Sequence, residues 1–434
     1  MSDTTIGVVG IAALFVLLSL RMPIGVAMAL VGFVGFASLT SWPAALSVLG
    51  TEPFQVASFY PLSVIPFFIL MGNLATVSGM GQDMYRAVYA WVGHWRGGLA
   101  TATIGACAGF AALSGSSVAS AITMGQVALP EMRRYRYDAR LATGCIAAGG
   151  TLGILIPPST GFAIYAILTE QSIGRLFLAG VLPGLLLTGL FMLTVFVVTR
   201  WRPEYGPPGP RVPLDERLRA LAQAVPMVGI VVMTIGGIYL GVFTPTEAAA
   251  VGAFLAMLLA LWRGTLTRRA ATEVLLQSMQ TTALVFMILI GANLFTPFLA
   301  VTRIPTELAG LLGSLELSRL GVLLIILGVY VVLGMFLEGF SMLVLTLPIV
   351  FPIIQSLGYD PIWFGVIMVV VLEMGLISPP VGVNVFVVKG IAPDVPMGRI
   401  FAGIVPFWLA MIACTAILIA APGIALFLPD TMVR

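Results

Sequence analysis

The sequence is poor in charge. Only 9% of its 434 residues are Asp, Glu, Lys or Arg, against 59% that are hydrophobic, whereas soluble domains carry roughly a quarter charged residues. That excludes a soluble globule and leaves a polytopic helical membrane protein. Histidine is almost missing: His94 stands alone, which leaves little material for proton relays or metal centres. The three cysteines, Cys107, Cys145 and Cys414, are isolated in apolar surroundings. No CxxC pair or His/Cys cluster exists, so neither a disulfide framework nor a zinc site is expected. The chain has no GxxxxGK[ST] phosphate loop, no HExxH and no serine–histidine pair in suitable company. It is therefore read as a non-enzyme that does not hydrolyse ATP. A net charge of +3 carries no nucleic-acid signature. The first residues, Met-Ser-Asp-Thr-Thr, lack a basic n-region and a small-residue cleavage site, so 5–20 reads as a retained first span rather than a signal peptide.

What the sequence has instead is apolar runs, and some are interrupted in ways that a plain span would not need. Runs of suitable length lie at 5–20, 22–40, 56–79, 97–113, 118–131, 140–170, 174–199, 221–242, 245–262, 273–298, 319–336, 342–357, 361–390 and 399–428. Within 140–170 sits Ala148-Gly149-Gly150-Thr151-Leu152-Gly153-Ile154-Leu155-Ile156-Pro157-Pro158-Ser159-Thr160. Adjacent prolines remove two backbone donors and disfavour helical geometry just before them, so the helix should break here. Backbone broken at membrane depth is tolerated only inside protein or against a water-filled cavity. The pattern recurs at Gly375-Leu376-Ile377-Ser378-Pro379-Pro380-Val381-Gly382-Val383-Asn384. A matched pair of interrupted segments in two halves is the sequence mark of a transporter binding site.

Two other pairs of runs are joined too tightly for ordinary loops. Ser114-Gly115-Ser116-Ser117 separates 97–113 from 118–131, and Leu337-Glu338-Gly339-Phe340-Ser341 separates 319–336 from 342–357. Both are expected to be re-entrant hairpins with polar tips near mid-membrane; the alternative is two spans joined by a tight turn. With the N-terminus outside and each hairpin returning to its own side, only Arg175, Arg303, Arg319 and Arg434 of the 21 basic residues fall outside. This cation bias supports that register, with N- and C-termini periplasmic.

The halves correspond. Pro130 and Pro352, Tyr137-Asp138 and Tyr359-Asp360, Gly153 and Gly375, and Pro157-Pro158 and Pro379-Pro380 all match at one constant offset. An odd number of crossings separates them, so they are expected to run in opposite directions. The expected organisation is a first inverted repeat over 1–199 with scaffold spans within 5–79, an arm at 80–96, a hairpin at 97–131, a broken helix at 140–170 and a span at 174–199. A proline-rich cytoplasmic linker follows at 200–220. The second repeat, 221–434, has scaffold spans within 221–298, an arm at 299–318, a hairpin at 319–357, a broken helix at 361–390 and a span at 399–428.

Broken helices expose carbonyls and hydroxyls that suit sodium, and N–H groups that suit carboxylates. At the first tip and break, Ser116, Ser117 and Thr151 favour an ion site with one edge of a substrate site, whereas Ser120 and Thr123 favour helix packing. At the second, Glu338 is a carboxylate below the membrane surface, which is costly enough to suggest function. It could coordinate a cation or hold the tip folded. Asn384 could bind substrate or cap a half-helix, and Glu373 could face the site or a neighbouring helix. Asn73, Gln280 and Asn293 are expected to bridge helices, Glu247 to serve a helix start, and Tyr135-Arg136-Tyr137-Asp138 to anchor the first hairpin.

Ala147–Ser159, together with Gly115-Ser116-Ser117, Gly144, Tyr359-Asp360-Pro361, Phe364-Gly365-Val366 and Pro379–Asn384, resembles the large membrane (M) subunit of tripartite ATP-independent periplasmic (TRAP) transporters. The order and spacing fit along essentially the whole chain. The resemblance implies an all-α polytopic membrane protein of the ion-transporter superfamily, an inverted-repeat elevator transporter with two re-entrant hairpins and two broken helices. It implies Na+ as coupling ion and an organic acid, a C4-dicarboxylate, sialic acid or similar carboxylate, as substrate. It also implies a small membrane (Q) subunit, a periplasmic substrate-binding (P) protein and the bacterial inner membrane as its setting. Carried over, one sodium site takes in Ser114, Ser116, Ser117, Gly150, Thr151, Gly153 and Ile156. The other takes in Gly334, Glu338, Gly339, Gly375 and Ser378. Substrate is expected near Ser116, Ser159, Thr160 and Asn384. Because some family members fuse the small subunit, and no four-helix segment precedes Thr5, a separate small subunit is expected. The remaining readings are a sodium/carboxylate symporter of related fold that needs no binding protein and, more distantly, a membrane scaffold or channel.

Overall fold

The structure, a computed structural model, describes residues 2–307, 310 and 318–432, and among them every regular element is helical. The helices are α1 (Asp3–Ser19), α2 (Ile24–Leu39), α3 (Trp42–Ser58), α4 (Val64–Val77), α5 (Met80–Val92), α6 (Gly98–Ser114), α7 (Ser117–Arg134), α8 (Ala139–Leu155), α9 (Thr160–Leu168) and α10 (Ile173–Trp201). They continue with α11 (Leu214–Tyr239), α12 (Pro245–Trp262), α13 (Arg268–Thr302), α14 (Arg319–Gly334), α15 (Gly339–Ser356), α16 (Pro361–Leu376), α17 (Val383–Ile391), α18 (Met397–Ala420) and α19 (Gly423–Thr431). Seven helical stretches are long and apolar enough to cross a membrane, and α8 with α9 makes an eighth, bent by 42°. The chain is thus an all-α polytopic membrane protein.

Local signals place the helix starts. Ser41, Ser116, Asp138, Ser159, Ser172, Thr244, Thr267, Ser318 and Asp360 each accept a hydrogen bond from a first-turn backbone N–H, which satisfies donors that a helix leaves free. Asp138 and Asp360, matched between the halves, cap the helices that lead into the two breaks. Thr244 and Glu247 form a reciprocal capping box, as expected of an acid at a helix start. Tyr137 accepts a hydrogen bond from Leu99 N–H at 3.1 Å, so the 135–138 turn does anchor the base of α6.

Two groups of helices form the protein. α2 crosses α13 almost backbone to backbone: a Cβ added to Gly25 would meet the Met287 carbonyl at 2.4 Å, and one on Gly32 the Leu294 carbonyl at 2.5 Å. Such crossings need glycine. α4 lies on α12 and α13, and Asn73 Nδ2 donates to Ser278 Oγ at 2.8 Å, the bridge expected of Asn73. The second group holds α6 to α9 and α14 to α17, with α10 and α18 against it. Its interior is the apolar core, in which α8 and α16 are buried along nearly their whole length.

Several expectations need correction. α3 was not anticipated; its Ser41 cap and Pro43 start a helix too polar for a span, and it leaves Trp42 and Phe54 exposed. The expected linker 200–220 shrinks from both ends, because α10 runs to Trp201 and α11 starts at Leu214. What remains is tied down: Gly97 N–H donates to the Gly206 carbonyl at 2.8 Å, and Gly209 N–H to the Gly93 carbonyl at 2.9 Å. The expected last span divides at Ala421-Pro422 into α18 and α19. Gln280 is exposed and bridges nothing among the described residues. The arm expected at 299–318 falls partly outside the described residues, and its first residues prolong α13.

Candidate functional site

Each break is faced by a polar hairpin tip, and each contact is made by backbone. At the first, α6 ends on Gly115 in the left-handed region at φ 57°, and Ser116 starts α7. A Cβ on Gly153 would sit 2.3 Å from the Ser116 carbonyl oxygen and 2.8 Å from Ser120 Oγ. A Cβ on Gly150 would sit 3.0 Å from the Ser117 carbonyl oxygen. The glycines of the break therefore admit the carbonyls of the tip. Ser114 Oγ and Ser120 Oγ share a hydrogen bond of 2.7 Å, and Thr160 Oγ1 donates to the Gly115 carbonyl at 2.9 Å. The tip is thereby tied both to its own second helix and to the far side of the break.

The structure brings Ser114, Ser116, Ser117, Gly150 and Gly153 together at this junction. It gives other predicted members different tasks. Thr151 donates to the Ala148 carbonyl of its own helix at 2.6 Å. Ile156 closes α8 and rests its side chain on Gly184 of α10. Ser159 is fully buried and caps α9 through Phe162 N–H. Ser120 was read as packing, yet its hydroxyl lies at the junction. The signal available was its position one helical turn after Ser116, on the same face.

At the second break, Gly334 and Gly375 touch: a Cβ on Gly375 would lie 2.6 Å from Gly334 Cα. Gly339 packs on Leu372. Glu338 Oε2 accepts from Ser341 N–H at 3.3 Å and from Ser341 Oγ at 3.2 Å. That makes it the N-cap of α15, a contact of the kind that holds the tip folded. Ser378 Oγ donates to the Met374 carbonyl at 2.6 Å and accepts from Trp408 Nε1 at 3.0 Å. Asn384, at the start of α17, is fully buried with no partner for either side-chain atom among the described residues. Glu373 is buried likewise, with no close partner for its carboxyl oxygens among the described residues. Its nearby polar groups are the Ser117 hydroxyl and the Glu338 carboxyl, so it faces the site and not merely a neighbouring helix.

The ends of these elements are pinned on one side by charge. Arg133 of α7 pairs with Asp394 after α17. A hydrogen bond from its own backbone N–H, and then the Arg133 guanidinium, hold the Asp394 carboxyl below the usual carboxylate range. Between α12 and the arm, Arg263 Nη1 donates to Asp83 Oδ2 and, at 3.0 Å, to the Ser78 carbonyl. A polar cavity of about 530 Å³ opens between α5 and α7, lined by Gln82, Arg86, Gln126, Glu131 and Arg134.

Comparison with known proteins finds relatives along nearly the whole chain. A sequence model of the tripartite ATP-independent periplasmic transporter, DctM component, matches residues 11–424. The C4-dicarboxylate TRAP transporter large permease protein of Pseudomonas aeruginosa is 39% identical over 389 residues, 89% of this chain and 90% of that protein. The sialic acid TRAP transporter large permease protein of Vibrio cholerae is 32% identical over 372 residues, 86% of each. The ectoine/5-hydroxyectoine large permease protein of Ruegeria pomeroyi is 31% identical over 96% of this chain and 97% of its own. Among solved structures, the Alcanivorax borkumensis YdaH transporter superposes with a TM-score of 0.66 at 16% identity, covering 88% of this chain and 89% of its own. That likeness concerns the fold alone.

Proposed function

The chain belongs to the DctM-component family of tripartite ATP-independent periplasmic transporters, and from this premise we propose that it imports an organic acid together with sodium by an elevator movement. It is a large permease and not an enzyme. The acid arrives on a periplasmic binding protein, and a small membrane subunit completes the complex in the bacterial inner membrane, with both termini of this chain periplasmic. The observation that carries the sodium reading is the pairing of each glycine break with a hairpin tip, Gly153 on the Ser116 carbonyl and Gly375 on Gly334. Carbonyls and hydroxyls without a strong positive partner suit a monovalent cation.

In this reading α6 to α9 and α14 to α17 travel as one body, entering the membrane as two inverted repeats with re-entrant hairpins. The helices around α2, α4, α12 and α13 form the frame. The cations hold the tips against the breaks and so complete the acid site near Ser116, Ser159, Thr160 and Asn384. The relatives' names attach C4-dicarboxylate, sialic acid and ectoine to sister permeases, all of which bear a carboxylate. The test is uptake into proteoliposomes holding the chain, its small subunit and the binding protein. Uptake that needs an inward sodium gradient is expected. Equal uptake in potassium sinks the coupling, and equal uptake without the binding protein favours a stand-alone symporter.

A further inference from the structure

We propose that Glu373 and Asn384, with the Ser117 hydroxyl, hold a further monovalent cation where the two hairpin tips meet. This rests on the reading that the tips load sodium, and it adds two ligands, Glu373 and Asn384, that neither pairing uses for its ion.

Glu373 and Asn384 are 1% and 0% exposed. Among the described residues neither amide atom of Asn384 has a hydrogen-bond partner, and the Glu373 carboxyl has at most a loose contact with the Ser117 hydroxyl. Buried polar groups are normally satisfied, and a buried charge without a partner costs several kcal/mol. Two such residues on neighbouring elements therefore indicate a missing occupant.

Helix register brings the two to the same level. Ser117 is the first residue of α7 and neighbours Glu373. α17 runs parallel to α7: Gly125 meets Ile391, and further along Arg133 pairs with Asp394. Two helical turns back from Gly125 and Ile391 lie Val118 and Asn384. The amide is thus level with the Ser117 hydroxyl. The second tip joins the same point, because Glu338 is the one carboxyl acting on Glu373.

The occupant's chemistry follows from the groups present. No Arg or Lys among the described residues pairs with Glu373. The basic residues of the surrounding helices, Arg140, Arg175, Lys389 and Arg399, stand at or near helix ends. An organic anion would meet a carboxylate of its own sign. Divalent calcium takes six to eight oxygens and commonly several carboxylates, whereas no group of three or more acidic, His or Cys ligands occurs among the described residues. One carboxylate with a hydroxyl and an amide oxygen fits sodium. Asn384 then has a double part: Oδ1 turns to the cation, which leaves Nδ2 free to donate to a carboxylate arriving afterwards. The cation loads before the acid.

The experiment uses sodium alone, on the purified chain with its small subunit. Equilibrium binding of radioactive sodium and sodium-dependent thermal stabilisation are measured for wild type, Glu373→Gln and Asn384→Leu, with potassium as the control ion. Glu373→Gln is expected to bind one ion fewer than wild type and to raise the sodium midpoint at least tenfold, while being as stable as wild type or more so without sodium. Asn384→Leu is expected to raise the midpoint in the same direction and to cover the case in which Glu373→Gln does not fold. An unchanged ion count and midpoint in the variants, with a normal wild-type response, overturns this site and leaves the sodium reading standing. A wild type that ignores sodium overturns both.

Discussion

The contact between Gly153 and the Ser116 carbonyl makes a direct test of the first ion site. In Gly153→Ala the new Cβ would fall 2.3 Å from that oxygen, 2.6 Å from its carbon and 2.8 Å from Ser120 Oγ. Carbon–oxygen contacts in proteins close no nearer than about 3.3 Å, so break and tip must part by about 1 Å. The obstacle is backbone on both sides, and no side-chain rotation relieves it. Metal ligands must stay within about 0.2 Å of their distances, so a shift of that size takes the Ser116 oxygen out of any coordination sphere. Overpacking of this kind costs about 1 to 3 kcal/mol. Set against the loaded state, that is a loss of about fivefold to somewhat over a hundredfold in sodium affinity. The assay is the sodium midpoint of thermal stabilisation in nanodiscs, repeated as the sodium midpoint of uptake. Gly189→Ala is the control: no atom lies within 4 Å of its Cβ, and a helix-interior alanine gains up to about 1 kcal/mol. A Gly153→Ala protein that folds with a sodium midpoint within twofold of wild type refutes the reasoning.

Other perturbations separate folding from ion binding. Glu338→Ala removes the acceptor for Ser341 N–H and Oγ and should cost about 1 kcal/mol as a lost cap, read as a lower Tm in sodium and in potassium alike. Asp83→Asn leaves Arg263 with uncharged acceptors only, the Ser78 carbonyl and an amide oxygen, in a place where the two side chains are 13% and 20% exposed. A fully buried broken pair costs about 3 to 5 kcal/mol; partial solvation brings this to about 1 to 3 kcal/mol, and a double-mutant cycle with Arg263→Met should recover part of it. The Asp394 carboxyl is held low in the folded state, so its contribution is present above its unfolded pKa and is lost as pH falls through the folded one. Acid should therefore loosen the α7–α17 clasp, seen as faster hydrogen exchange at the α17 end, and Asp394→Asn should show that exchange rate at every pH.

Much of this was written into the sequence because a membrane removes alternatives. Backbone in lipid must be helical, so apolar length gave the helices, and the doubled prolines gave both breaks. Asp138 and Asp360 gave the helix starts ahead of them. Glycine gave close approach but not the partner: nothing before the fold tells that Gly153 meets Ser116 or that Gly375 meets Gly334. Hydroxyls were the least legible. Ser159 accepts from Phe162 N–H and Thr151 donates to the Ala148 carbonyl, because a short hydroxyl in a helix always has a carbonyl or N–H within reach. Ser120 looked like packing and sits at the junction. Which way a hydroxyl turns is decided by tertiary neighbours that pattern does not reveal. The helix α3 was missed because it has neither span length nor a long polar run.

The two breaks differ in how they are held, and the difference bears on order. The first tip is tied across its break by a protein hydrogen bond, from Thr160 to the Gly115 carbonyl. The second tip holds itself through Glu338 and Ser341, and its contact with the break is glycine on glycine, which supplies dispersion but no directional bond. A junction with no tie of its own is the one that an added ion can close. Glu373 sits in the second break near the Ser117 hydroxyl of the first tip, so a cation bound there would report the state of one tip to the other. Loading from the preformed side then lowers the cost of closing the other, and a Thr160→Val protein should lose this order, with sodium curves turning from sigmoidal to hyperbolic. Sigmoidal curves unchanged by Thr160→Val would show that the tie across the first break has no part in the coupling.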